Sequence, residues 1–173
     1  TPKFFWLTET EAIDYMDQCV QNIKRLPEIN SKSKIVGLTQ RDVPMVRLLE
    51  EQGFKNVSCI TRADLGIYDN SPGVERSQQR LSSKLEENVI KKYSNADVIL
   101  VNRFLHHVSE MNGFFQNIRS LINPEGYILF EVPDCTLGLN NLDYTLIYEQ
   151  HTVYFTEESF QYFLESNNLN ILN

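Results

Sequence analysis

Short runs of consecutive apolar residues alternate along this chain with stretches whose apolar positions recur every three or four residues, and that alternation predicts the architecture. Over residues 9–26 the apolar side chains Ile13, Met16, Val20 and Ile23 fall on one helical face. Thr8 ahead of Glu11 forms a capping-box signature, and Pro27 followed by INSKSK ends the helix. KIVGL then predicts a short buried strand and TQRD a polar connection. A helix over residues 43–52 follows, with Asp42 as its N-cap, Pro44 in its first turn and Gly53 as its stop. A second strand is predicted over residues 56–61.

The turn signals DLG, DNS and PG make residues 62–73 an exposed loop, and residues 77–93 are polar and helix-prone. ADVILVN is the clearest strand, because a solvent-facing strand would alternate and this one does not. A helix over residues 110–122 ends at NPEG, a turn leading into the apolar strand YILFEV. Continuous apolar strands separated by helices imply parallel βαβ units covered on both sides. The predicted fold class is therefore α/β, a Rossmann-like three-layer α/β/α sandwich with a mostly parallel central sheet. Residues 1–33 form an N-terminal helix packed on the domain, and residues 34–173 form the domain itself. The terminal NLNILN reads as the start of a strand, so the chain is expected to be a piece of something larger, with other domains as partners.

Composition narrows the picture. The 173 residues carry 16 Lys and Arg against 23 Asp and Glu, a formal charge of −7, so no positive field exists to attract nucleic acid. Cys19, Cys59 and Cys135 form no C-x-x-C pair and read as small buried residues. No apolar run reaches the roughly 18 residues of a membrane span, and no leader pattern is present, which points to a cytoplasmic setting.

Ligands of open parallel sheets bind beyond the carboxyl ends of the strands. That rule selects residues 39–42, 61–64, 102–107 and 133–135 before any family is considered. Two of the three histidines, His106 and His107, fall in this set, and His151 lies in the aromatic segment IYEQHTVYF. His106 reads as an exposed residue at a helix start. Because His106 and His107 are adjacent, they cannot share a helical face as metal ligands at i and i+4 do, so no metal is expected.

Residues 96–134, ADVILVNRFLHHVSEMNGFFQNIRSLINPEGYILFEVPD, resemble the fourth strand, following helix and fifth strand of class I S-adenosylmethionine (SAM)-dependent methyltransferases. The shared pattern is an apolar strand, a segment ending in His-Val, a helix, a Pro-x-Gly turn and a second apolar strand. LIYEQHTVYFTEESFQYFLESNNLNI is similar to the Tyr-x-Glu-His-x-x-Tyr-Phe segment of deoxysugar C-methyltransferases. Tyr148, His151, Tyr154 and Phe155 match it, and Gln150 stands at the Glu position.

The resemblance implies SAM as cofactor and a small-molecule acceptor, a sugar or another metabolite methylated on carbon or oxygen. It implies His151 as the catalytic base with Tyr148 beside it, His107 as a second base or orienting group, and Glu149 as the carboxylate in place of Gln150. Cofactor contacts fall on Gly37, Thr39, Gln40 and Asp42 after the first strand, Thr61 after the second, and Asn102 and Arg103 after ADVILV. The sequence departs from the family at IVGLTQRDV, where Gly37 stands alone in place of a glycine-rich loop, and at Thr61, where an acid is the rule and Asp64 is the substitute. Three functions stay open: an active methyltransferase, a non-catalytic binding or scaffolding domain, and a Rossmann-like domain for another nucleotide or nucleotide-sugar.

Overall fold

A computed structural model describes residues 9–68, 75–147 and 150–172. Four strands, β1 (Lys34–Gly37), β2 (Asn56–Cys59), β3 (Ala96–Asn102) and β4 (Ile122–Glu131), pair in the order β2-β1-β3-β4, all parallel. Successive side chains on a strand point to opposite faces, and here both faces are covered. Ile35, Val98 and Leu100 share one core with Cys19, Val20 and Ile23 of α1 (Glu9–Arg25) and with Met45, Val46 and Leu49 of α2 (Val43–Glu51). Val36, Ile99 and Val101 face the other core, against α3 (Glu75–Ser82), α4 (Glu87–Tyr93) and α5 (Met111–Leu121). This is the Rossmann-like three-layer fold that the apolar runs predict.

The sheet's centre supplies most of its driving force. Val98, Ile99, Leu100 and Val101 are each 0% exposed, and full burial of each such side chain contributes about 1.5–3 kcal/mol. A charge at Ile99 would break both the strand and the core behind it.

Beyond β4 the chain runs through α6 (Thr136–Asn140) to α7 (Glu157–Ser166), whose N-terminus is capped by Thr156 with Ser159 in reciprocal hydrogen bonds. Phe160 of α7 packs edge-on against Phe130 of β4 at 6.0 Å between ring centroids, which ties the C-terminal segment to the sheet. Residues 169–172, expected to begin a strand, are irregular.

Other expectations are sharpened or corrected. The helix-prone stretch over residues 77–93 folds as two helices, α3 and α4. Asn117 of α5 donates to the carbonyls of Leu81 and Ser83 and accepts from Leu85 N–H, holding the break open from another element. NPEG, expected as a turn into YILFEV, lies within β4 as an irregularity, where the register with β3 shifts between Ala96 and Val98. A Cβ on Gly126 would lie 3.0 Å from the Ala96 carbonyl oxygen, so only glycine lets the strands approach there. Asp42 makes no cap bond to α2; Thr39 caps the preceding 3₁₀ turn, Gln40–Asp42, and the Asp42 carboxylate turns back to it. In the loop after β2, Leu65 and Ile67 are buried and anchor it to the core, while residues 69–74 lie outside the described residues, as does Thr8.

Candidate functional site

Strand order reverses between β1 and β3, and the crevice at their carboxyl ends is where an open α/β sheet binds ligands. The turn after β1 occupies one side of it. Asp42 is 0% exposed; its carboxylate accepts Thr39 N–H at 2.8 Å and Asn102 N–H at 2.9 Å, joining the β1 turn to the end of β3. Burial pushes Asp42 up to about 7, against the hydrogen bonds that favour its ionised form. Gly37 serves this packing: a Cβ there would meet Asp42 Cβ at 2.5 Å and Cys59 Sγ at 3.2 Å. Thr39 is also engaged, accepting Arg41 N–H at its hydroxyl and the Cys59 thiol at its carbonyl, 2.8 Å away. Burial foremost, with Asp42 and Asp64 nearby, pushes that thiol up to about 12, so it stays protonated. Of the β1-turn residues expected to hold a cofactor, Gly37, Thr39 and Asp42 face inward, and Gln40 is exposed.

Across the crevice, β3 leads through Arg103, whose φ of 52° lies in the left-handed region, into a 3₁₀ turn over Leu105–His107. A non-glycine residue in that region is strained, and such strain gathers at functional sites. Arg103 pairs with Glu131 at the end of β4. The turn carries His106 and His107 inward, both buried, which corrects the exposed position expected for His106. His151 reaches them from 44 residues on, because Thr152 donates its N–H to the His106 carbonyl at 2.9 Å and its hydroxyl to the Val108 carbonyl at 2.8 Å. Ring centroids lie 4.2 Å apart for His106 and His107, 4.5 Å for His106 and His151, and 5.0 Å for His107 and His151.

Arg41 closes the cluster. Its guanidinium donates to the Arg103 carbonyl and lies 3.1 Å from His107 Nε2. A guanidinium only donates, so Nε2 accepts, and the ring proton sits on Nδ1, which donates to the Gln150 carbonyl at 2.9 Å. Burial, reinforced by the neighbouring rings and Arg41, pushes His106 down to about 3, and burial with Arg41 also lowers His151. The cluster is therefore a set of neutral imidazoles beside a half-buried cation.

Thr61 stands one strand away, at the end of β2, with Asp64 accepting its N–H at 2.9 Å. Burial raises the Asp64 carboxyl, but hydrogen bonds from Thr61, Lys92 and Tyr93 outweigh it and hold the group well below the usual range. Thr39, Asp42, Asn102, Arg103, His107 and His151 thus gather at the switch point. Thr61 sits apart, and Tyr148 and Glu149 lie outside the described residues. Sequence reasoning passed over Arg41 and the inward turn of His106; the visible signal for Arg41 was a lone cation in the loop after the first strand. Beyond β4 lies a cleft of about 330 Å³, lined by Tyr15, Phe130, Glu131, Phe155 and Phe160 among others, and its Glu131 is the residue that pairs with Arg103.

A family model described as a methyltransferase domain matches residues 9–173. C-methyltransferase NovU of Streptomyces niveus is 20% identical over 162 residues, covering 88% of this chain and 38% of that protein. The chain thus spans about two fifths of the length of that curated relative. Among solved structures, the DhpI-SAM-HEP complex is similar at 15% identity and a TM-score of 0.46, over 92% of this chain and 81% of that one. The match to the family model runs through every strand of the sheet and every residue of the switch-point cluster, and the chain belongs to the methyltransferase-domain family.

Proposed function

We propose that this chain transfers the methyl group of SAM to a carbon or oxygen of a small-molecule acceptor, a sugar or a metabolite of similar size. The observation that carries the reading is the meeting of His107, His151 and Arg41 at the switch point of a domain of this family. SAM is the methyl donor of class I enzymes, and two groups suit its ends. The Arg41 guanidinium, which pairs with no carboxylate among the described residues, matches the carboxylate of the donor's amino-acid moiety. The ionised Asp64 matches ribose hydroxyls. Arg41 thus takes the part that glycine amides play in the family, because the Thr39–Asp42 turn has turned its amides inward.

SAM supplies a methyl carbon already activated by the sulfonium charge, so the protein has only to align the acceptor and receive its proton. His151 is the base. Its ring is neutral near pH 7, because burial and Arg41 lower its pKa, and it is partly open to the crevice. His107, fixed at both nitrogens, orients rather than titrates. The cleft at β4, at about 330 Å³, suits an acceptor of sugar size.

Calorimetric titration of SAM and its demethylated product into the chain tests cofactor binding, and absence of heat at high micromolar ligand would remove the proposal. Given binding, labelled methyl transfer to a panel of sugars and small hydroxylated metabolites should fall by about 100-fold or more in His151→Ala. The inward-facing Thr39–Asp42 turn favours one second reading, a non-catalytic binding domain on the same fold, and the same titration separates the two.

A further inference from the structure

We propose that His106, His107 and His151 form a three-imidazole site for a borderline divalent metal ion of the zinc class. The inference is independent of methyl transfer and rests on geometry. One nitrogen from each ring can be chosen such that all three lie within 4.8 Å of one another. Three imidazoles leaving a fourth position open is a coordination set that zinc accepts at about 2.0–2.1 Å per nitrogen, so modest ring rotations must draw the three nitrogens inward.

Three features of the surroundings favour a metal over simple packing. Among the described residues His106 Nδ1 is buried without a hydrogen-bond partner, in a residue only 4% exposed, and an orphaned buried nitrogen calls for a ligand. His107 gives its Nδ1 proton to the Gln150 carbonyl at 2.9 Å, the outer bond that fixes a metal-binding ring and directs its Nε2 lone pair inward. Finally, the cluster is held from two sides, by the 3₁₀ turn over Leu105–His107 and by the Thr152 hydrogen bonds to His106 and Val108, so the rings are already assembled.

One group opposes the ion. The Arg41 guanidinium lies 3.1 Å from His107 Nε2 and occupies the same lone pair a metal would take. Metal binding must displace it, and the fixed positive charge weakens the site until it moves. Arg41 is only half-buried, so it has a route to solvent. Arg41 and the metal therefore compete, which packing alone would not produce. A bound ion also takes the His151 lone pair, so the loaded chain would lack its base.

The test is titration of Zn²⁺ into the chelator-stripped chain against a chromophoric competitor, with Co²⁺ as a spectroscopic substitute. One equivalent should bind per chain, and His106→Ala or His151→Ala should weaken it by about 10-fold or more. Arg41→Gln should tighten it by about 10-fold, a result that a site elsewhere would not give. Unchanged affinity in either histidine variant, or in Arg41→Gln, overturns the proposal. Should an alanine variant fail to fold by circular dichroism, nitrogen hyperfine structure in the Cu²⁺-loaded natural chain decides: coupling to fewer than three imidazole nitrogens overturns it.

Discussion

The two sides of the switch-point crevice are built on opposite principles. On the β1 side, each polar group in the turn that can be traced has a partner within the turn or on β3: Asp42 takes the amides of Thr39 and Asn102, and Thr39 takes Arg41 N–H and the Cys59 thiol. On the histidine side, a buried ring nitrogen has no partner among the described residues, and Arg41 lies against a ring and a carbonyl rather than a carboxylate. The first arrangement gives stability and leaves little to offer a ligand. The second holds polar groups in place at some energetic cost, which is what a site needs and a core does not. The proposed chemistry therefore rests on the β3 side, the reverse of what a glycine-rich β1 loop would give.

Gly37→Val attacks the closed side most directly. Its Cβ would lie 2.5 Å from Asp42 Cβ, and neither β1 nor the Asp42 carboxylate can withdraw without losing the bonds that join the turn to β3. A loss of about 3 kcal/mol is expected by urea denaturation, at the upper end for overpacking. A loss under about 1 kcal/mol would mean that the turn is looser than its hydrogen bonds imply.

Asp42→Asn tests the same side through pH. The folded chain holds the Asp42 proton up to about 7, whereas the unfolded chain releases it near the ordinary carboxyl value of 3.8. The folded state thus binds the extra proton in that window, and stability falls as pH rises through it, with a slope approaching ~1.4 kcal/mol per pH unit. Asn carries no such proton. Denaturation at several pH values between 4 and 7 should show the slope reduced in the variant, and equal slopes would place the Asp42 pKa near its ordinary value.

The closed side also shows where sequence reasoning reached and where it stopped. KIVGL and ADVILVN were legible as strands because burial on both faces leaves an unbroken apolar run, and the parallel order followed from the helices between them. The break between α3 and α4 was not legible, because it is held by Asn117, some 30 residues downstream. His106 was misread for the same reason. A 3₁₀ turn and Thr152 bring it inward, and neither leaves a mark at residues 105–107. His107 and His151 could be named from resemblance, but their meeting, with Arg41 between β1 and the rings, exists only in three dimensions.

On the histidine side, Thr152→Val removes the hydroxyl donated to the Val108 carbonyl at 2.8 Å and keeps the backbone bond to His106. The expected cost is about 1 kcal/mol, the ordinary worth of one hydrogen bond. Methyl transfer and Zn²⁺ affinity should both fall if the hydroxyl helps hold His151 in place. Stability loss with neither change would make Thr152 a structural clamp alone.

The smallest expected effect is the most discriminating. His106→Leu in metal-free protein removes a ring whose Nδ1 is buried and unpaired and supplies an apolar side chain of similar volume to a core already holding Phe104, Leu105 and Val108. Removing an unsatisfied polar atom without leaving a partner stranded is close to neutral or slightly stabilising, here by up to about 0.5 kcal/mol. A core histidine whose hydrogen bonds mattered would instead cost about 1–3 kcal/mol on removal, because its partner would be left buried and bare. Equal or raised stability together with lost Zn²⁺ binding would mark His106 as a residue kept for ligation at the fold's expense. A clear destabilisation would return it to the core and remove the contrast between the two sides of the crevice.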